Sequence, residues 1–411
     1  LKLKVKMRIQ LLILLKKLIM KMIMKILIKM KKISLYRLTL LLLALLLSSS
    51  FVIAQNKYIN LKQYGVEDGL SNSSITAIIQ DKNGFIWVGT NNGLNRFDGY
   101  QFKAYTHDPL DQSSIGGNYV KCLFIDHNDD LWIGLLDGKV CRFNMDNEKF
   151  DTFLCYYPIE VLRGDVSKID EDKEGFLWIS IDRMGLVRLD PTTGHFDRWR
   201  STDKSENHIS HDALTNLLKD NEDNLWISTW GGGINYYDKS NNNFSVILDA
   251  EEEDDATHCC HFQTLFRDHR NNIWLGSTHK GLYRMNEDGV ITRHYEADPY
   301  TDGMLVNRTI ISLAEDLRGN VWIGTAAGLN IYSYETDKFV LVKPIDTSMD
   351  FREISVLYSD HSNGMWIGTL KGLYYFNPKT EQIGIIHDEH ELTQGYMMAI
   401  LKDRRGRIWM R

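Results

Sequence analysis

Proline and cysteine are scarce in this chain, and the short motifs that mark the common catalytic sites are missing. Only six prolines occur in 411 residues, and no low-complexity linker breaks residues 56–411, so one continuous repeat domain of roughly 330 residues is the economical partition. The five cysteines, at positions 122, 141, 155, 259 and 260, have neither zinc-type spacing nor the pattern of a disulfide framework. Cys122 and Cys141 fall within strand-like runs and read as small core residues. There is no Gly-x-Ser-x-Gly elbow, no phosphate-cradling glycine loop followed by Lys, and no His-Glu-x-x-His, which removes the usual hydrolase, nucleotide and zinc-protease readings. No cofactor, metal site or catalytic residue is expected from the residues present. Acidic residues are absent from Leu1 to Arg37, which carry twelve basic ones. The remainder holds 36 basic against 54 acidic residues, a net charge of about −18, which argues against nucleic-acid or anionic-membrane contact by this region.

What the chain has in quantity is a repeat. Eight times an Asp is followed six residues later by a Trp: Asp81/Trp87, Asp126/Trp132, Asp172/Trp178, Asp220/Trp226, Asp268/Trp274, Asp316/Trp322, Asp360/Trp366 and Asp403/Trp409. Successive Trp positions lie 45, 46, 48, 48, 48, 44 and 43 residues apart, the period of four-stranded propeller blades rather than helical solenoid units. In the first unit Ile75 to Gln80 is β-rich, Asp81 to Gly84 is a turn, and Phe85 to Thr90, Gly93 to Asp98 and Phe102 to Tyr105 supply three further strands. Three residues before each Trp stand Gly84, Asp129, Gly175, Asp223, Asn271, Gly319, Asn363 and Gly406, the residue types that tolerate positive φ in a hairpin. Shortly after the Trp comes a small residue, Gly89, Gly134, Ser180, Ser228, Gly276, Gly324 or Gly368, as close approach of adjacent sheets requires. One blade has too little apolar area to fold alone, so the Trp and its Ile, Leu and Val neighbours must be buried between stacked sheets. The expected fold is all-β, a seven-bladed β-propeller of four-stranded blades at 55–388, with 389–411 as the truncated first repeat of a second propeller. Tyr58 to Tyr64 and Ile383 to Ile386 compete for the role of outer strand closing the ring.

Ahead of the repeats, Lys31, Lys32 and Arg37, the apolar stretch Leu38 to Leu47 and the small-residue site Val52 to Ala54 read as a signal peptide at 30–54 that starts at Met30. Residues 1–29 are then upstream translation or a basic extension. A basic amphipathic membrane segment and an uncleaved anchor are the alternatives. The eighth unit stops inside its second strand, so a piece of a longer protein is expected.

Several local features carry a chemical and a bland reading. His258 to His261 offers four potential ligands, but adjacent cysteines rarely wrap one tetrahedral ion, and a loop is the default. Glu251 to Asp255 reads as a solvated acidic loop before it reads as a calcium site. Arg163-Gly164-Asp165 is a tripeptide that chance supplies. An Asp that recurs once per blade is structural, fixing its turn by side-chain to backbone hydrogen bonds. Antiparallel strand order puts the loop between second and third strands and the loop between blades on one face. Residues that break the repeat there are the ligand-binding candidates: Asn91, Asn92, Asp137, Arg183, Trp230, His279, Lys280 and Lys371. Trp230 is one of two Trp outside the repeated position. An exposed indole beside amide or charged groups suits stacking on a sugar ring, while a loop Trp packed on a neighbouring blade is the bland equal.

Leu70 to Asn72, Ile79 to Asp81, Gly84 to Thr90 and Gly93 to Gly99 together resemble the first repeat of the two-component regulator propellers, and the resemblance runs in register from about Tyr58 to Trp409. It implies the periplasmic sensor part of a hybrid two-component histidine kinase that controls polysaccharide utilisation, anchored in the inner membrane. It also implies an oligosaccharide ligand, with homodimerisation, a membrane span and kinase modules belonging to the parent protein. None of the kinase residues maps onto this chain. Unit two departs from the pattern at Leu135 to Asp137 and unit eight at Met410 and Arg411. The alternatives are an exported propeller enzyme, lyase or quinoprotein-like, and a stand-alone protein-binding scaffold.

Overall fold

The computed structural model describes residues 61–155, 164–203, 207–248, 261–343, 349–360, 364–386 and 397–411, with Lys17, Leu18 and 20–22 near the amino end. The chain forms two compact units, Leu1–Gln55 and Asn56–Arg411. In the first, the five described residues are helical and exposed, and the expected signal segment lies outside the described residues. No helix among the described residues is long and apolar enough to cross a membrane.

The second unit is all-β. Among the described residues, seven antiparallel sheets of four strands each follow one another along the chain, and a two-stranded sheet comes last. The seven blades occupy 75–105, 120–154, 166–199, 214–248, 262–295, 310–342 and 356–385, and the final hairpin pairs Ile400–Lys402 with Ile408–Met410. The first strand of each blade lies against the first strand of the next, and that of blade 7 against the hairpin. Strand order within each sheet is the chain order, so every blade is an up-and-down meander. The turn between first and second strand needs positive φ three residues before the Trp. Gly84, Asp129, Gly175, Asp223, Asn271, Gly319 and Gly406 supply it, with φ between 63° and 89°.

The second strand of each blade is buried along its whole length, the pattern of a strand covered on both faces. Its Trp fills the gap between neighbouring sheets, and Trp87, Trp132, Trp178, Trp226, Trp274 and Trp322 are at most 1% exposed. Removing a side chain of that size from water is worth on the order of 5 kcal/mol as an upper bound. The small residue two positions later lets the sheets meet. A Cβ on Gly89 would lie 2.5 Å from Val120 Cγ1, and one on Gly134 2.6 Å from Val166 Cγ1, each the opening residue of the next blade.

The repeated Asp does more than hold its turn. Asp81 Oδ1 accepts the Phe85 amide at 3.0 Å while Oδ2 accepts the Trp87 indole N–H at 2.8 Å. The indole bond recurs at Asp126, Asp172, Asp268, Asp316 and Asp403. Blades 4 and 7 depart from it. There Asn224 donates to Asp220 Oδ2 at 2.9 Å and Tyr375 to Asp360 Oδ2 at 3.0 Å, and the buried Nε1 atoms of Trp226 and Trp366 have no acceptor among the described residues.

Of the two segments expected to supply the outer strand, Ile383 to Ile385 does so for blade 7, within the fourth strand Gln382–Ile385 of its own repeat. Residues 61–64 form no strand, and 58–60 lie outside the described residues. Tyr64 instead packs on Phe97, Phe102 and Trp409. Leu136–Gly138, where unit two breaks the pattern, is a single 3-10 turn with Asp137 at φ 72°. Cys122 and Cys141 sit in strands of blade 2 as expected, and Cys122, Cys141 and Cys155 are free thiols. Burial pushes the thiols of Cys122 and Cys155 up to about 12.

Candidate functional site

The loops between second and third strands do fall on one face with the segments that enter each blade, and in blades 1 to 6 a backbone bond ties the loop to its entry segment. Asn91 N donates to Ser74 O at 3.1 Å, Leu136 N to Tyr119 O at 3.0 Å, Asp182 N to Asp165 O at 2.9 Å, Trp230 N to Ala213 O at 2.9 Å, Thr278 N to His261 O at 3.1 Å, and Ala326 N to Thr309 O at 3.1 Å. A hydroxyl at the end of the second strand caps several of these loops. Thr90 Oγ1 accepts from Asn92 N at 3.1 Å, Thr229 from Gly232 N at 2.9 Å, Thr325 from Gly328 N at 3.0 Å, and Thr369 from Lys371 N at 3.1 Å. Ser277 Oγ does the same for both His279 and Lys280. Buried asparagines in the third strand anchor the entry segments. Asn95 accepts from Ser71 N at 2.9 Å and Asn235 from Ser210 N at 2.8 Å, and each amide donates back to the same serine's hydroxyl. The face is therefore a rigid frame of satisfied backbone carrying variable side chains.

On that frame the eight candidates separate. Trp230 is 48% exposed although its backbone is pinned, and its indole stacks on the His261 ring at 4.8 Å and 23°. His261 stands 6.3 Å from the ring of His279. A Cβ placed on Gly231, at φ 118°, would lie within 4 Å of both the His261 and the His211 rings. One indole and three imidazoles thus converge where blade 4 meets blade 5. The Trp230 indole packs on the His261 ring at the entry to the neighbouring blade, and the residue remains half open to solvent.

The other candidates are held separately. Arg183, exposed and at φ 58°, pairs with its neighbour Asp182 at 3.1 Å. Lys371 Nζ lies 3.9 Å from Asp350, which also binds Arg352 at 2.6 Å. The Arg352 guanidinium holds the Asp350 carboxyl down to about 2, although partial burial opposes the shift. Asn91 has a buried Oδ1 without a partner, and Asp137 is exposed on its turn. Lys280 is half-buried, and its carbonyl accepts from His294 at 2.6 Å.

His211, His261 and the loop-capping hydroxyls are what sequence reasoning missed. The Trp-x-Gly-Thr spacing at Trp87, Trp322 and Trp366 carries the signal for the hydroxyls. His261 stands out in the sequence only as a potential zinc ligand, and His258 to Cys260 lie outside the described residues. No group of three or more His, Cys, Asp or Glu side chains able to hold a metal ion is found among the described residues.

Comparison with known proteins adds four findings. Residues 69–92 match the family model described as the two component regulator propeller. A histidine kinase, P4, of Formosa agariphila is 52% identical over 62 residues, which is 15% of this chain and 4% of that protein. The extracellular domain of a hybrid two component system from B. thetaiotaomicron superposes with a TM-score of 0.54 at 20% identity, covering 85% of this chain and 51% of that one. The chain thus spans about half the length of the solved extracellular domain and a small fraction of the kinase. Virginiamycin B lyase from Staphylococcus aureus is also similar, at a TM-score of 0.49 and 13% identity over 72% of this chain and 91% of that one.

Proposed function

We propose, for a chain whose residues 69–92 match the two component regulator propeller model, that residues 55–388 are the periplasmic ligand-sensing propeller of a hybrid two-component histidine kinase and that the ligand is an oligosaccharide. The observation that carries the reading is the half-open indole of Trp230 with His211, His261 and His279 around it, on a face whose backbone is otherwise satisfied. An aromatic ring with one accessible side offers stacking area to the apolar face of a sugar, and imidazoles at its edge offer hydrogen bonds to hydroxyls. Asn91, Asn92, Asp137, Arg183, Lys280 and Lys371 ring the same face and would set which glycan fits. Signalling needs a ligand that binds two states of the parent differently, so this region supplies the binding half of the coupling. The membrane span, the kinase and any homodimer belong to that parent.

The experiment is a glycan panel read by calorimetry with the wild-type chain, Trp230→Ala and His261→Ala. The expected result is binding of one oligosaccharide class that weakens at least about tenfold in Trp230→Ala, the loss of roughly 1.4 kcal/mol or more. Glycan binding that persists unchanged in both variants would remove the site. Turnover of any panel member by the wild-type chain would favour the propeller-enzyme reading instead.

A further inference from the structure

Blade 4 departs from the repeat at three places, and the structure brings all three together. In blades 1 and 6 the entry segment carries an asparagine whose side chain closes a turn on the amide two residues further on. Asn72 Oδ1 accepts from Ser74 N and Asn307 Oδ1 from Thr309 N, both at 2.8 Å. The residue before each is held by the third-strand asparagine, Ser71 N by Asn95 at 2.9 Å and Val306 N by Asn330 at 3.0 Å. Asn235 holds Ser210 N at 2.8 Å in the same way, so the register puts His211 at the asparagine position of blade 4. The imidazole keeps the asparagine's task, with Nδ1 accepting from Ala213 N at 3.0 Å.

That bond fixes the tautomer. A backbone amide only donates, so Nδ1 presents its lone pair and the proton of the neutral ring sits on Nε2. An asparagine in this place ends at the cap, whereas the histidine continues as a ring whose far nitrogen is a donor. Among the described residues Nε2 has no hydrogen-bond partner. The adjacent carboxylate does not claim it, because Asp212 accepts from Ser201 N at 2.7 Å and from Arg200 at 3.2 Å.

The other two departures open the space beside the ring. Trp230 stands where blades 1, 6 and 7 have Asn91, Ala326 and Leu370, and three residues rather than two join Thr229 to Gly233. A Cβ on Gly232 would lie 2.6 Å from both His211 Cβ and Ser210 Oγ, and one on Gly231 3.6 Å from His261 Nε2 and 3.9 Å from His211 Cδ2. Glycine at both positions keeps side chains out of the space that the two rings border. Ala213 ties the parts together, its N–H holding His211 and its carbonyl accepting from Trp230 N at 2.9 Å. One residue therefore sets both the donor and the aromatic platform.

We propose that His211 is the fixed hydrogen-bond donor of this site and that its Nε2–H reads an acceptor oxygen of the ligand held on Trp230, a carbonyl, a carboxylate or a hydroxyl lone pair. The inference rests on the Trp230 site proposed above and adds to it a residue that determines specificity. A histidine free to exchange tautomers accepts from a ligand as readily as it donates. The Ala213 amide removes that choice, so a ligand group with only hydrogens to give, such as an ammonium, finds no partner at His211.

The test separates the two nitrogens. Asn reproduces Nδ1 and reaches no further, as Asn72 and Asn307 show, while Gln carries an amide nitrogen out toward the place of Nε2 without the cap. His211→Asn should leave the thermal midpoint within about 1 °C of wild type and weaken oligosaccharide binding about tenfold or more. His211→Gln should lower the midpoint by about 2 °C and keep part of the affinity that Asn loses. Nitrogen-15 NMR of the full 411-residue chain labelled at histidine, at pH 8 and with His211 assigned by its absence in His211→Asn, should show a protonated Nε2 and a bare Nδ1. A ring protonated at Nδ1, or an equal mixture, overturns the inference whatever the ligand. Binding that Trp230→Ala weakens and His211→Asn does not also overturns it, and leaves the Trp230 platform standing. Binding indifferent to Trp230→Ala, or none by any member of the glycan panel, removes the platform and this inference with it.

Discussion

Replacing Trp132 and Trp226 by Phe, one at a time, separates the apolar role of the repeated Trp from its polar one. Both indoles are at most 1% exposed and both fill the same gap between sheets. Each substitution removes a similar volume, so the cavity cost is common to the pair, on the order of 1–3 kcal/mol. The polar consequences differ. Trp132 Nε1 donates to Asp126 Oδ2 at 2.8 Å, and Asp126 is 8% exposed. Phe at 132 leaves that carboxylate oxygen without its donor, a further loss of about 1.5–3 kcal/mol for a bond to a charged group. Trp226 Nε1 has no acceptor in the native protein, so Phe at 226 removes a buried orphan donor and recovers part of the cavity cost. Trp132→Phe should therefore be less stable than Trp226→Phe by about 2–4 kcal/mol. Urea unfolding followed by circular dichroism gives the comparison, with the slopes checked because blades stacked in series need not unfold in one step. Equal midpoints, or a lower midpoint for Trp226→Phe, would refute the claim that the Asp–indole bond stabilises the blades.

Other expectations follow from single sites. Gly134→Ala should lower the thermal midpoint, since its Cβ would lie 2.5 Å from Cys122 Sγ and 2.6 Å from Val166 Cγ1, an overpacking cost of about 1–3 kcal/mol; Gly384→Ala, with nothing within 4 Å, should leave it unchanged or slightly raised. Asp350 has its carboxyl lowered from 3.8 to about 2, so the stability it contributes is present above pH 4 and is lost as pH falls through about 2. Asp350→Asn should flatten the acid side of the stability curve in that window, the effect reduced by solvent at a side chain 21% exposed. The His127 imidazole, hydrogen-bonded to Glu171, is raised above 6.5; an NMR titration should show its midpoint move down in Glu171→Gln. Thiols pushed up to about 12 at Cys122 and Cys155 should resist iodoacetamide at pH 8 in the folded chain and react on unfolding.

Repetition explains why so much of the fold was legible in the sequence. A feature written eight times, such as Asp81 to Trp87, is enough by itself to specify the hairpin, the buried strand and the blade period. Side-chain partners chosen once were not legible in this way. That the indole bond would be missing at Trp226 and Trp366 was not legible, because the Asp–Asn pair of blade 4 recurs in blades 5 and 6, where Asn272 and Asn320 donate to the same oxygen as the indole. The closing contact was hidden for a related reason. Tyr64 and Trp409 are 345 residues apart in the sequence, and only a curved ring of sheets brings them together.

The candidate site follows the same logic in reverse. Its loops are placed by repeated parts, the hydroxyls of Thr90, Thr229, Ser277, Thr325 and Thr369 and the amides of Asn95 and Asn235. Under the proposed function, specificity would fall to residues that differ from blade to blade, because a ring of identical loops would present one chemistry seven times. Trp230 is marked by that difference, being a Trp outside the repeated position. His211 and His261 are not, because each is an ordinary residue of an entry segment until the backbone of 230–231 is folded against them. A rigid repeated frame with single substitutions at its loop tips allows the binding face to change without disturbing the sheets below it. The prediction that Trp230→Ala weakens ligand binding at least about tenfold while leaving the thermal midpoint within about 1 °C is therefore a test of the frame as much as of the site. A large fall in the midpoint would show that the indole is part of the packing between blades 4 and 5, and the face would then have no open aromatic platform.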